Sequence, residues 1–155
     1  MFKGFLGMQN NDELMSKFGG KLIYLASPFY SESVQERAMR AYQARDIATG
    51  FIARGLYAYS PVAYTQSLFI SDGAAFGLGY AAWREMSRRF VEACDIFMVL
   101  RTDGWEQSEG VADELAYARL LGKPVFYCRP FGAGQMEFLS AFNVEASNGE
   151  KDNDR

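Results

Sequence analysis

Short apolar runs alternate along this chain with longer polar stretches that carry apolar residues at helical spacing. Each run is rich in aliphatic and aromatic residues and is bounded by proline, glycine or charged residues, which is typical of a buried β-strand. The strands predicted in this way are Lys21–Phe29, Leu56–Ser60, Asp95–Arg101 and Pro124–Cys128. Asp95, which opens the third strand, is interpreted as a structural residue that binds a loop N–H group.

A long helix is predicted between the first two strands. Ser33 and Glu36 form a capping-box pattern at its start. Gly55 suits the position just after its end, where a left-handed residue is common. The apolar residues expected on its buried face, in a stripe that Arg45 interrupts, are Val34, Ala38, Ala41, Ala48 and Ile52.

Two more helices precede the third and fourth strands. The first covers Ala82–Cys94, and the second begins after Ser108 and ends near Leu121, with Gly122 as its stop. The segment Val62–Tyr80 is aromatic, rich in glycine and poor in charge. Loop packing or a subunit contact is the simplest interpretation of it, and a mobile lid is the alternative.

The ends of the chain are predicted to lie outside the folded domain. Residues 1–20 are interpreted as an N-terminal extension that closes with two glycines, and residues 144–155 as a polar, frayed tail. The domain itself is expected to cover residues 21–143.

Alternation of strands and helices predicts the fold class. It indicates an α/β, Rossmann-like or flavodoxin-like three-layer sandwich, in which helices cover both faces of a parallel sheet of four to five strands. Ligands of such sheets bind beyond the carboxyl ends of the strands. Those ends here are Ser27-Pro28-Phe29-Tyr30, Ser60-Pro61 and Thr102-Asp103-Gly104-Trp105.

Composition narrows the classes of function. A chain of 155 residues with a net charge of −3 has no footprint for a nucleic-acid polymer or an anionic membrane. Cys94 and Cys128 lack metal-ligand spacing, so buried free thiols and a reduced, cytoplasmic setting are expected. The chain has no histidine, which excludes a Ser/His triad, a histidine base and the commonest zinc sites. Acid–base or nucleophilic work must fall to carboxylate, Tyr, Lys, Ser or Cys, and no metal or cofactor is expected.

The segment Gly104–Val125 carries the most specific candidate chemistry. It predicts a loop, a helix and the start of a strand, with Ser108 and Gly110 at the helix mouth. Ser108 suits a helix N-cap, and the free N–H groups of the same turn suit a phosphate or carboxylate. The segment is not a P-loop, since the required Gly-Lys-Ser/Thr is absent.

Helix phase separates the two acids of this helix. At ~100° per residue, Glu114 falls about 60° from the apolar Val111, and Asp113 about 160° from it. Glu114 can therefore reach the sheet end, while Asp113 is expected to be a solvated surface charge.

The chain resembles the nucleoside 2-deoxyribosyltransferase superfamily, which includes the 2′-deoxynucleoside 5′-phosphate N-hydrolases. The matching pieces span about residues 21–128 and are YLASPFYS, YSP, Trp83 with ACDIFMVL, and DGWEQSEGVADELAYARLLGKPV. The resemblance implies that Glu114 attacks C1′ of a deoxyribose, that the base leaves, and that water or a second base resolves the covalent intermediate.

The resemblance also implies binding roles. In phosphate-preferring members a serine six residues before the glutamate contacts the 5′-phosphate, and Ser108 keeps that spacing. Asp103 is a candidate second catalytic residue. Homo-oligomers are expected, because members of the superfamily tend to associate. The predicted substrate-binding residues, which lie at the sheet ends and at the helix mouth, are Ser27, Phe29, Tyr30, Ser60, Trp105, Ser108 and Gly110.

Two positions depart from the pattern of the superfamily. Relatives usually carry an aspartate eight residues before the aspartate of the Cys-Asp pair, and Ser87 stands there in this chain. Relatives often carry histidines after the Ser-Pro of the second strand, where this chain has Tyr64 and Gln66. A different acid such as Asp103 or Asp72 could compensate.

The departures leave three hypotheses. The first is an N-glycosyl-bond enzyme that acts on a 2′-deoxynucleoside or its 5′-monophosphate, by transfer or hydrolysis. The second is a non-catalytic nucleotide-binding module, a sensor or sponge on the same fold. The third is a purely structural or interaction protein.

Overall fold

A computed structural model describes residues 11–68, 79–130 and 136–138. Along the chain these form α1 (Asn11–Phe18), β1 (Leu22–Ala26), α2 (Val34–Ala53), β2 (Tyr57–Tyr59), α3 (Pro61–Leu68), α4 (Tyr80–Ala93), β3 (Ile96–Leu100), a 3₁₀ turn (Trp105–Gln107), α5 (Glu109–Leu120), β4 (Val125–Pro130) and β5 (Met136–Phe138). The four predicted strands and three predicted helices are confirmed, with ends that shift by a few residues.

One sheet has the strand order β2-β1-β3-β4-β5. The first four strands run parallel, and β5 pairs antiparallel with β4. The Rossmann-like α/β prediction is confirmed. The antiparallel edge strand is a departure from the all-parallel sheet that was predicted.

The core lies on both faces of this sheet, because successive strand residues point to opposite sides. On one face, Ile23 and Leu25 of β1 pack with buried residues of α1 and α2. On the other, Tyr24 and Ala26 pack with residues of α4 and α5. The arrangement is the three-layer sandwich expected from the sequence.

Helix α1 belongs to the core, although its residues were assigned to an extension. Leu14 and Phe18 are almost fully buried against the sheet. The Phe18 ring meets the Phe126 ring edge-on, with 5.1 Å between centroids. The acidic residues that mask this helix in the sequence lie on its exposed side, so at least residues 11–18 of the predicted extension fold with the sheet.

Helix α2 begins as predicted but buries a different face. The Ser33 hydroxyl accepts from the Glu36 N–H at 3.2 Å, and Gly55 takes a φ of 83°. The stripe expected from the sequence was right at Ala41 and Ala48 and wrong at Val34, Ala38 and Ile52, which are exposed. The buried residues follow i, i+3 and i+4 spacing instead, which fits a 3.6-residue helical repeat: Ala41, Ala44, Ile47, Ala48 and Phe51.

Of the aromatic segment Val62–Tyr80, residues 62–68 belong to helix α3, and residues 69–78 lie outside the described residues. Pro61 opens this helix, which suits proline because the first helical N–H has no intrahelical partner. The polar tail predicted at 144–155 also lies outside the described residues. Among the described helices, none is long and apolar enough to cross a membrane.

The two cysteines and Asp95 confirm smaller predictions. Cys94 and Cys128 are free and buried. Burial raises the pKa of the Cys94 thiol to about 11 and that of Cys128 further above its usual range. The Asp95 carboxylate accepts from the Leu22 N–H at 2.8 Å, and this bond ties the start of β3 to β1.

Candidate active site

A cleft of about 640 Å³ lies where the parallel strands end. Ser27, Phe29 and Tyr30 enter it from the loop after β1, and Glu114 enters it from α5. Its remaining lining residues come from α2, α3, α4 and the mouth of α5: Arg40, Pro61, Val62, Thr65, Tyr80, Trp83, Ser87, Gly104, Gln107, Ser108, Glu109 and Gly110. This is the edge of a doubly wound sheet at which a ligand is expected.

Glu114 is the partly buried carboxylate of this cleft. Loss of hydration raises its pKa to about 7. The neighbouring Tyr24 and Ser87 hydroxyls lower the pKa because they stabilise the carboxylate, and the negative charge of Asp113 raises it. The side chain can therefore exchange a proton near neutral pH, and its ionised form is a nucleophile in a poorly hydrated place.

The Tyr24 hydroxyl lies near the Glu114 carboxylate. Its hydroxyl is buried and makes no hydrogen bond of good geometry among the described residues. Burial, followed by the charge of Glu114, raises the Tyr24 pKa well above its ordinary value. The phenol therefore stays protonated at neutral pH. Its O–H group can donate a hydrogen bond, and the Glu114 carboxylate is the nearby acceptor.

Aromatic rings hold Tyr24 in place. Its ring is stacked on Phe97 with 5.3 Å between centroids and tilted against Tyr59 at 5.7 Å. Tyr59 is in turn stacked on Phe90 of α4 at 4.2 Å. The floor of the site is thus made of packed aromatic rings, which accounts for the poor hydration of Glu114.

Asp113 faces α4, and the prediction of a solvated surface charge was wrong. Its Oδ1 accepts from Arg84 at 2.7 Å and from Arg88 at 3.1 Å. The hydrogen bond from Arg84 lowers the Asp113 pKa. Ser87 neighbours these arginines on α4, and the ion pairs tie this part of α4 to α5, the helix that carries Glu114.

Ser108 takes the capping role that the sequence predicts. Its hydroxyl accepts from the Val111 N–H at 3.2 Å, at the start of α5. Ser108 and Gly110 line the cleft at this helix mouth. Ser27, Phe29 and Tyr30 line it from the loop after β1, so the structure brings six of the predicted site residues together with Glu114 included.

Three predicted site residues lie outside the cleft. Asp103 and Trp105 line a neighbouring cavity of about 370 Å³. Trp105 packs against Tyr127, with 5.9 Å between ring centroids. The chain turns at Gly104, whose φ is 83°, and this turn carries both side chains away from the cleft. Ser60 is buried and caps α3, accepting from the Ala63 N–H at 3.1 Å.

Arg40 was missed by the sequence reasoning. Its guanidinium donates to the Tyr30 carbonyl, to the Glu36 carboxylate at 2.7 Å and to the Asp103 carbonyl at 3.3 Å. It therefore joins the loop after β1 to the loop after β3, on either side of the cleft. The i, i+4 pair with Glu36 looks like an ordinary surface ion pair in the sequence, and the contact with the Asp103 carbonyl comes from a distant part of the chain.

The positions where relatives carry histidine lie on α3. Tyr64 is exposed, and its ring is 6.1 Å from that of Tyr59. Thr65, between Tyr64 and Gln66, is the one of these three that lines the cleft. Within residues 11–68, 79–130 and 136–138, no group of three His, Cys, Asp or Glu side chains could hold a metal ion.

Fold and site together define a Rossmann-like α/β protein with a partly buried carboxylate in a cleft at the carboxyl ends of its strands. Residues 21–129 match a protein family described as "Domain of unknown function (DUF1937)". The match covers more than half of the chain, and the chain belongs to this family.

Among solved structures, a 2-deoxyribosyltransferase from the psychrotolerant bacterium Bacillus psychrosaccharolyticus is similar. Sequence identity is 24%, the similarity covers 81% of this chain and 80% of that chain, and the TM-score is 0.45. The name of that enzyme is the name of the superfamily that the sequence motifs resemble, but a likeness at this level transfers no activity. No curated protein matches this chain.

Proposed function

We propose that this chain is an N-glycosyl-bond enzyme acting on 2′-deoxynucleosides or their 5′-monophosphates. The observation that carries the proposal is Glu114, a partly buried carboxylate with a pKa of about 7 in a cleft large enough for a nucleoside. The motif resemblance over Gly104–Val125 supports the same reaction. We propose Glu114 as the nucleophile and Ser27, Phe29, Tyr30, Ser108 and Gly110 as substrate contacts.

In the first step, an ionised Glu114 oxygen attacks C1′ of the deoxyribose. The C1′–N bond breaks, its electron pair leaves with the base, and a glutamyl-deoxyribosyl ester forms. Water or a second base then attacks C1′ and gives up a proton to the solvent, and the ester bond breaks to return the carboxylate. Two displacements at one carbon retain its configuration.

Tyr24 would act on both steps through its proton. A phenol beside Glu114 stabilises the free carboxylate, which makes it a better leaving group in the second step. The same donation weakens the attack in the first step. A phenol that stays protonated across the working pH range provides this balance without an added charge.

Departure of the base also needs a proton. Ser87, beside Glu114, is a neutral hydroxyl and supplies no acidic proton at neutral pH. Asp103, the second catalytic residue suggested by the sequence, lies outside the cleft. Asp72, the other acid suggested by the sequence, lies outside the described residues. Among the described residues neither Ser87 nor Asp103 supplies this proton, so we propose that it comes from water and that bases that leave as stable anions or are already protonated react fastest.

Release of free base tests the proposal. The native protein is incubated with each 2′-deoxynucleoside and each 5′-monophosphate, with and without a second base, and products are separated by chromatography. Base release supports hydrolysis, and a new nucleoside supports transfer. Glu114→Gln should reduce either rate by about 10³-fold or more, whereas Glu106→Gln, an exposed acid outside the cleft, should leave it unchanged.

A non-catalytic nucleotide-binding module is the second candidate, favoured by Ser87 where relatives carry an acid. It predicts nucleotide binding in the micromolar range or tighter with no product over long incubation. The Glu114→Gln variant would then bind the nucleotide at least as tightly as the native protein does, because the carboxylate takes part in no reaction. Any turnover that Glu114→Gln abolishes excludes this candidate.

A further inference from the structure

Resting on the proposed function, we infer that Glu109 is a specificity-determining residue that makes the cleft select uncharged 2′-deoxynucleosides over their 5′-monophosphates. The sequence pattern around Ser108 left the two substrate classes open. The charges that line the cleft distinguish them.

Glu109 stands at the helix end that would attract a phosphate. It is the first residue of α5, directly after the N-cap Ser108, and it lines the cleft. Helix N-termini attract anions through their free N–H groups and dipole. Here a carboxylate of the chain already stands at that end, so an incoming phosphate dianion would meet a like charge.

Arg40 is poorly placed to bind a phosphate directly. It is the basic side chain among the described residues that line the cleft. One of its terminal nitrogens donates to the Tyr30 carbonyl, and the other to Glu36 and the Asp103 carbonyl. Its Nε is buried without a partner, so the guanidinium has no exposed pair of N–H groups for the bidentate contact that phosphates prefer.

A 5′-hydroxyl fits the same place without conflict. A hydroxyl can donate to the Glu109 carboxylate and accept from first-turn N–H groups or from the Ser108 hydroxyl. A phosphate can only accept at neutral pH. With Glu114 ionised, the lining charges of Arg40, Glu109 and Glu114 also leave the described cleft with one negative charge in excess.

Substrate competition tests the inference. The ratio of kcat/KM for each 2′-deoxynucleoside to that for its 5′-monophosphate is measured at low ionic strength. We expect the native ratio to exceed about 10, and Glu109→Gln to reduce it at least about fivefold by improving monophosphate use. Glu106→Gln removes the same charge from the preceding turn, outside the cleft, and should keep the native ratio.

A native preference for the monophosphate overturns the inference, as does a ratio that Glu109→Gln does not change. If the native protein releases no base from any substrate, the proposed function fails, and binding decides the inference separately. Calorimetry with the native protein then compares nucleoside and monophosphate. Tighter nucleoside binding that Glu109→Gln equalises supports the role of Glu109, while tighter monophosphate binding or no binding of either overturns it.

Discussion

Replacing Glu114 with glutamine should stabilise the protein at alkaline pH and not at acid pH. The pKa of this carboxyl rises from 4.5 to about 7 on folding, chiefly through burial. Because the folded pKa is above the unfolded one, the folded state holds a proton that the unfolded state releases. The contribution of this group to the free energy of unfolding is at its most favourable below about pH 4.5, and it is lost as the pH rises through about 7.

The magnitude follows from the shift. Each unit of pKa difference corresponds to about 1.4 kcal/mol, so the largest loss above pH 7 is about 3 kcal/mol. Glu114 borders an open cleft, and water there reduces the loss to about 1–3 kcal/mol. Glutamine has nearly the same shape and no charge, and it should recover this free energy only where the native side chain is ionised.

Urea denaturation followed by circular dichroism measures the effect. The free energy of unfolding is compared for the native protein and Glu114→Gln at about pH 4 and about pH 8, so that all other titrating groups cancel. Glu106→Gln, an exposed acid close by, should change stability by less than about 0.5 kcal/mol at both pH values. Equal effects of Glu114→Gln at the two pH values would show that burial does not perturb this carboxyl.

Further substitutions probe the rest of the site. Ser87→Asp should move the acid limb of the kcat/KM–pH profile to a pH about one unit higher, since a second carboxylate raises the pKa of Glu114. A limb that does not move would show that residue 87 and Glu114 do not interact. Tyr24→Phe should move that limb upward by about half a unit, because the phenol stabilises the ionised carboxylate, while the free energy of unfolding changes by less than about 1 kcal/mol. Arg40→Lys should raise KM by about tenfold with a smaller change in kcat, since lysine cannot reach two carbonyls at once; an equal fall in kcat would assign it a different role. Gly104→Ala should lower the free energy of unfolding by about 1–3 kcal/mol, because its φ is 83° and its new Cβ would lie 2.5 Å from an Arg40 nitrogen; an unchanged urea midpoint would contradict that geometry.

Local signals made most of the fold predictable. Ser108 and Gly122 mark the two ends of α5, and both signals act within a single turn of backbone. The first four strands are apolar runs, which buried parallel strands require. Because the carboxyl ends of parallel strands lie at one edge of a sheet, the loop after β1 and the mouth of α5 could be placed there together without any side-chain contact being known.

Features that depend on distant partners were missed. Helix phase correctly turns Asp113 away from the buried face of α5. It does not show Arg84 and Arg88, which reach Asp113 from a helix more than twenty residues earlier. Half of the buried residues of α2 are alanines, whose small apolar side chains give little contrast with exposed alanines elsewhere on that helix. Tyr24 was assigned to the core strand β1, and its contact with Glu114 depends on how α5 packs on the sheet.

The two buried thiols make unfolding chemically visible. Cys128 has no exposed surface, and Cys94 has almost none. Thiol reagents attack the thiolate, and the raised pKa values of both groups suppress that form in the folded protein. Alkylation therefore requires the sheet to open, because Cys128 lies on β4 between β3 and β5. The rate at which a thiol reagent labels Cys128 would report how often this part of the sheet opens under native conditions, without any denaturant.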